Sequence, residues 1–284
     1  IGALAGDALT DADTNVAIGV SALGGDTLGS SSVAIGSSAL RLQNFTSATD
    51  VYNVAVGRGA GENVTTGKFN TLIGGLSGDA LTDGQENVAV GYQALTADTQ
   101  GENSVAIGNN ALFSQNGTNG NVFNVAIGKN AGFAITTGVE NVLIGGLAGD
   151  ALTDADFNVA IGKNALAADT LGSKSIAIGL GALQTQNFTS ATDSLNVAIG
   201  HLAGEKVTTG IQNTLIGSLA GDALTTGGEN TAVGYLALST EDGHGTNTAI
   251  GNRTLMTQNA GANAHNTAVG HYAGLSVTTG VQNT

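Results

Sequence analysis

The side chains in this chain best equipped for chemistry are carboxylates gathered in one recurring phrase. GDALTDAD carries Asp7, Asp11 and Asp13, and it returns with Asp150, Asp154 and Asp156. Several carboxylate oxygens in one turn could ligate Ca²⁺, a hard cation that takes about six to eight oxygens. The spacing differs from the Gly-Gly-x-Gly-x-Asp of calcium-binding β-rolls. The counterparts GDALTDG (78–84) and GDALTTG (221–227) also lose up to two of the carboxylates. Solvated turns, with Asp accepting from backbone N–H groups, explain this pattern, so no metal or cofactor is expected and the six aspartates stand only as the places where calcium would sit. Hydrolysis of a glycoside needs two carboxylates about 5 to 10 Å apart in a cleft. Here acids recur at equivalent turns, which is the mark of a scaffold, and no catalytic residue is expected. His201, His244, His265 and His271 share no metal-ligand spacing and read as surface residues.

Composition narrows the classes further. Of 284 residues, 45 are Gly and none is Pro, Cys or Trp. Proline interrupts a strand ladder because it has no N–H, so its absence fits a chain hydrogen-bonded along most of its length. Without cysteine there is neither a disulfide framework nor a thiolate metal site. The net charge of −14 argues against a phosphate-binding surface, and nucleic acid is not an expected partner. No apolar run reaches the roughly 18 residues of a membrane span, and no membrane insertion is expected.

The elements that must carry these turns are set by a repeat. Phrases such as DFNVAIGKNAL, VYNVAVGRGAG and SLNVAIGHLAG each end a short apolar run on a glycine, from Gly2, Gly19, Gly36, Gly57 and Gly74 on to Gly270. Most intervals are 17 residues, and the third of each set of four is longer, at 21, 20, 21 and 19. Four units form a module of about 71 residues, with approximate bounds 3–74, 75–145, 146–217 and 218–284. The fourth unit of a module carries Leu72, Leu143 or Leu215 where the other units carry Ala. The chain reads as a single repetitive segment, 1–284, of a longer protein.

Apolar residues alternating at period two over about five residues read as a short strand, with Gly, Asp and Thr supplying the turns. One unit is then one coil of an all-β, parallel β-roll or β-solenoid of about 17 residues per coil. The Ile or Val before each closing glycine is expected inside, stacked into aliphatic ladders, and the residue after it (Val20, Arg58, Lys163, His271) outside. An Asn four residues before most closing glycines suggests a side-chain amide ladder. The small Ala17, Ala34 and Ala55 are expected on the opposite, outer face, where another chain could approach. Leu72, Leu143 and Leu215 would project from that face as candidate trimer contacts. The long third intervals place loops on the scaffold, and binding residues concentrate on such loops. Phe45, Tyr52, Phe113, Phe123 and Phe188 lie in or beside them and are the candidate recognition residues.

NSVAIGNNAL (103–112), SSVAIGSSAL and KSIAIGLGAL resemble the head repeat of YadA-like trimeric autotransporter adhesins. NTAVGYLAL, followed elsewhere by TTGVQNT, is similar to repeats of bacteriophage tail fibres and long bacterial surface proteins. The resemblance covers essentially the whole chain. It implies a left-handed, YadA-head-like roll, a homotrimer, and a role in attachment at the cell surface or on a virion tail. The coils are longer than those of adhesin heads, and the four-coil module is not part of that motif. The resulting expectation is a non-enzymatic extracellular fibre or adhesin segment giving rigid reach and multivalent attachment to a surface receptor or glycan. Alternatives are a phage tail-fibre shaft or receptor-binding segment, a filament subunit assembling end to end, and, less favoured, a polysaccharide-degrading tail-spike.

Overall fold

The computed structural model describes residues 1–117 and 120–284; Thr118 and Asn119, inside the second long interval, lie outside the described residues. The chain forms two units, Ile1–Glu140 and Asn141–Thr284. Both are built the same way, and the described residues contain no helix. Each coil contributes one three-residue strand. In the first unit these are Val16–Ile18, Val33–Ile35, Val54–Val56, Thr71–Ile73, Val88–Val90, Val105–Ile107 and Val125–Ile127. In the second they are Val142–Ile144, Val159–Ile161, Ile176–Ile178, Val197–Ile199, Thr214–Ile216, Thr231–Val233, Thr248–Ile250 and Thr267–Val269. Within each unit, each strand pairs in parallel with the next, equivalent position over equivalent position: Ala17 on Ala34, Ala34 on Ala55, Ala55 on Leu72. The fold is an all-β parallel β-solenoid of about fifteen coils, seven and eight in the two units, at about 17 residues per coil.

The inside of the coil is the reverse of the expected one. Ala34, Ala55, Ala89 and Ala106 are fully buried, and so are Leu72, Leu143 and Leu215. The Val and Ile on either side of them face outward and are half-exposed; Ile18, Ile73 and Ile250 keep 38 to 39% of their surface. The Leu residues are therefore core residues of their own chain and do not project outward as trimer contacts. The physical reason lies in the opposite wall. Leu23, Leu40, Leu95 and Leu112, four residues after a closing glycine, are fully buried and supply the bulk that fills the coil. Only a small residue fits at the strand centre facing them, because a protein interior has no spare volume.

Those wall leucines point inward because the backbone there is left-handed. In the coil around Gly108, Asn103 (φ 60°), Asn110 (φ 55°) and Leu112 (φ 49°) all have positive φ, and the pattern recurs around the chain. Each such residue costs about 1 to 2 kcal/mol for an L side chain. The tight turns that return a 17-residue coil to its starting point impose that conformation. The closing glycines lie at φ of 131 to 145° and stack on one another. A Cβ at Gly145 would fall 2.6 Å from the carbonyl of Gly162, so the column excludes any side chain.

Candidate functional site

Polar side chains join the coils from within. The side-chain amide of Asn70 donates to the Gly84 carbonyl at 2.9 Å, and its carbonyl accepts from the Asn87 N–H at 3.0 Å. Asn53, Asn158, Asn196 and Asn213 repeat the pattern. This is an Asn ladder, with each amide bonded to the backbone of the following coil rather than only to other amides.

Where Ser replaces Asn, a buried network takes over. Asp26 is fully buried; its Oδ1 accepts from the N–H groups of Gly29 (3.0 Å) and Phe45 (3.2 Å), and its Oδ2 from Gln43 Nε2 (2.6 Å). Gln43 Nε2 also donates to Ser32 Oγ (3.1 Å), and Gln43 Oε1 accepts from Asn53 Nδ2 (2.9 Å). Asp98 with Gln115, Ser104 and Asn124 repeats these bonds, as does Asp169 with Gln186, Ser175 and Asn196. Burial pushes the Asp98 carboxyl above its ordinary range, against the hydrogen bonds from Gln115, Gly101 and Gly117 that hold it down. In the first three long intervals the shared Gln is thus a structural residue that anchors the inserted loop to the core. The first three loops are held further by a two-residue parallel pairing, Gly29–Ser30 with Thr49–Asp50, Gly101–Glu102 with Gly120–Asn121, and Gly172–Ser173 with Thr192–Asp193.

The five loop aromatics do not form one surface. Phe45 and Phe188 are buried, at 7% and 6% exposure, and close the coil beside the buried Asp. Phe113 stacks on Phe133 with ring centroids 4.9 Å apart. Tyr52 stacks on Phe69 at 6.0 Å and is exposed, as is Phe123. Only Tyr52 and Phe123 therefore stand out toward solvent as recognition residues would. Residues after the closing glycines, such as Arg58, Tyr92, Lys163 and His201, are exposed as the sequence suggests.

The acidic turns do not converge. Asp7, Asp11 and Asp13 are exposed, as is Asp154, while Asp150 and Asp156 are half-buried. The N–H groups of Asp13 and Asp156 donate to Ser30 Oγ and Ser173 Oγ of the next coil. Burial raises the pKa of Asp150, and the same holds for Asp79 and Asp222 at the equivalent position. Among the described residues, the only three metal-ligand-type side chains gathered in one place are Glu241, Asp242 and His244. Sequence spacing alone missed this group; the signal for it is the simultaneous departure of three positions from the repeat, where DTLG and DTQG become EDGH. No helix among the described residues is long and apolar enough to cross a membrane.

The chain matches no family model, no curated protein and no solved structure.

Proposed function

We propose that this chain is a non-enzymatic attachment or fibre segment working outside the cell or on a virion tail, presenting a repeated surface to a receptor or glycan. The observation that carries this reading is the coil-on-coil bonding. The network acids and the Asn ladder are buried and spent on holding each coil to the next, while what faces outward is a periodic array of side chains. A left-handed, YadA-head-like roll in a homotrimer fits the resemblance of the repeats.

The oligomer forms through the outward Val, Ile and Thr rows rather than through Leu72, Leu143 and Leu215. Seven coils stacked at about 4.8 Å make a continuous band roughly 30 Å long on the first unit, on the scale of apolar patches that mark contact sites. Its members include Val16, Ile18 and Ile73, all more than a third exposed. Three copies of the chain meeting about a closed three-fold axis are the natural cover, since a closed ring hides the band on every chain without leaving an open edge.

Light scattering should give the mass of three chains, and Ile73→Lys with Ile216→Lys should lower it without unfolding the protein. A folded monomer in the native chain would end the trimer proposal. Binding of the purified chain to cells or glycan arrays, with no loss of polysaccharide viscosity, is the expected functional outcome. Depolymerisation that depends on a carboxylate pair would replace this reading with the tail-spike one, and indefinite filaments in electron micrographs would replace it with the filament one.

A further inference from the structure

The buried Asp network is broken at one place, and the break assembles ligand-type side chains. Asp26, Asp98 and Asp169 are each followed three residues later by a glycine, Gly29, Gly101 and Gly172. In all three the carboxylate lies where a Cβ on that glycine would be. The equivalent residues in the last set of coils are Glu241 and His244, with Asp242 at the position of Thr27, Thr99 and Thr170. A side chain at 244 excludes the carboxylate from its usual seat. The extra methylene of Glu carries the acid elsewhere.

The displaced acid loses its partners. Glu241 is fully buried, yet neither carboxylate oxygen makes a hydrogen bond; the Ala260 and His244 amides are near enough only to lower its pKa in part, against a larger upward push from burial. Gln258 Nε2, the counterpart of the amide that donates to Asp26, is also without a partner, as is Asn247 Nδ2, at the position of Ser32. His244 Nδ1 lies 3.7 Å from Glu241 Oε1 and makes no hydrogen bond. Asp242 is held in place by its own turn, its Oδ1 accepting from the Gly243 N–H at 2.6 Å, and its backbone carbonyl accepts from the Thr225 N–H and hydroxyl. One donor atom from each of the three side chains lies within 4.8 Å of the other two.

We propose that Glu241, Asp242 and His244 form a binding site for a divalent transition-metal ion of the zinc type. One imidazole and two carboxylates suit a borderline cation better than Ca²⁺ or Mg²⁺, which favour all-oxygen sets. Tetrahedral zinc with bonds of about 2.0 to 2.1 Å spaces its ligand atoms about 3.3 Å apart, so side-chain adjustments of about an ångström close the site, and water completes the fourth position. The ion supplies the buried carboxylate with the partner that Gln43 and Gly29 give to Asp26.

The test uses tag-free chain, stripped with chelator and titrated with Zn²⁺ by calorimetry, with bound metal counted by mass spectrometry. The native chain should take up one zinc with micromolar or tighter affinity and bind Ca²⁺ at least tenfold more weakly. Glu241→Asp, Asp242→Thr and His244→Gly together restore the pattern of the other coils; this variant should stay folded by circular dichroism and lose the site. His244→Gly alone, which removes a ligand without adding bulk, should weaken binding at least tenfold, and His271→Ala should leave it unchanged. Native chain that binds no zinc at micromolar concentration would overturn the proposal, and so would equal uptake by native chain and His244→Gly.

Discussion

Leu72 occupies the space that side chains at Gly61 and Gly78 would need: a Cβ on Gly61 would sit 2.7 Å from Leu72 Cδ1, and one on Gly78 would sit 2.8 Å from Leu72 Cδ2. Leu215 stands in the same relation to Gly204 and Gly221. The module is therefore an exchange of volume. Where the strand centre carries Leu instead of Ala, the facing wall carries Gly instead of Leu. Leu72→Ala should destabilise the protein by about 2 to 5 kcal/mol through the cavity it leaves. Gly78→Leu alone should also destabilise, by overpacking. Leu72→Ala with Gly61→Leu and Gly78→Leu should recover part of the loss, since Leu40 and Leu95 already adopt the required backbone, while Leu81, 2.9 Å from the Gly78 Cβ position, still has to turn aside. Denaturant titration of the four proteins would show this coupling; strictly additive losses would sink the exchange.

Gly145→Ala should be among the most damaging single changes. It places a Cβ against the Gly162 backbone at 2.6 Å and at φ 133°, where neither neighbour is a side chain that can turn away. A loss of about 3 kcal/mol or more is expected, in the class of special backbone positions. Lys163→Asp, one residue beyond Gly162 and exposed, should stay within about 0.5 kcal/mol. Comparable melting temperatures for the two variants would contradict the stacked column.

Asn213 bonds to two parts of the next coil, donating to the Gly227 carbonyl at 2.9 Å and accepting from the Asn230 N–H at 3.1 Å. Asn213→Ala leaves both groups buried and unpaired, at about 1 to 3 kcal/mol each. Asn213→Asp keeps the acceptor but loses the donor and buries a charge. Its deficit should accordingly be larger at pH 7 than at pH 4, where the carboxyl is protonated. A pH-independent deficit would mean that residue 213 is solvated.

The acid groups give the native chain a pH dependence of definite sign. Burial raises the pKa of Asp79, Asp98, Asp150, Asp222 and Glu241 above ordinary values of 3.8 for Asp and 4.5 for Glu. Between the ordinary and the raised values the folded chain holds more protons than the unfolded one, so stability falls as pH rises through that window. It is greatest below the ordinary values and levels off above the raised ones. The net charge of −14 adds self-repulsion in the same direction. Melting temperature should be higher at pH 4, near the ordinary values, than at pH 8, and scanning calorimetry showing the reverse would refute the assignment.

Much of this architecture is legible in the residues themselves. The 17-residue spacing of the closing glycines fixes coil length and parallel register, and the alternation in VAI states correctly that Val and Ile share one face and Ala the other. It does not say which face is inside, because the strand is apolar on both. That choice is made by Leu23 and its successors, whose left-handed backbone is rare for leucine and carries no local signature in the sequence. The aromatic residues divide for a similar reason. Phe45 and Phe188 are drawn into the core by N–H groups that donate to Asp26 and Asp169, a tie between residues 19 apart that no local pattern announces. The cluster at Glu241 was visible only as a joint deviation from the repeat.

The volume exchange around Leu72 also makes the length of the scaffold a quantised property. Excising a 17-residue coil that carries Leu72 removes one of Gly61 and Gly78 with it and leaves the other without the leucine that fills the space beside it. Inserting a lone coil of the Ala-Leu type beside Leu72 would force two large side chains into one slot. Duplications that carry a complete Leu-and-Gly set leave every interior volume matched. The chain can therefore grow or shrink in whole sets with its packing intact, whereas a change of one coil at that point leaves a void or a clash.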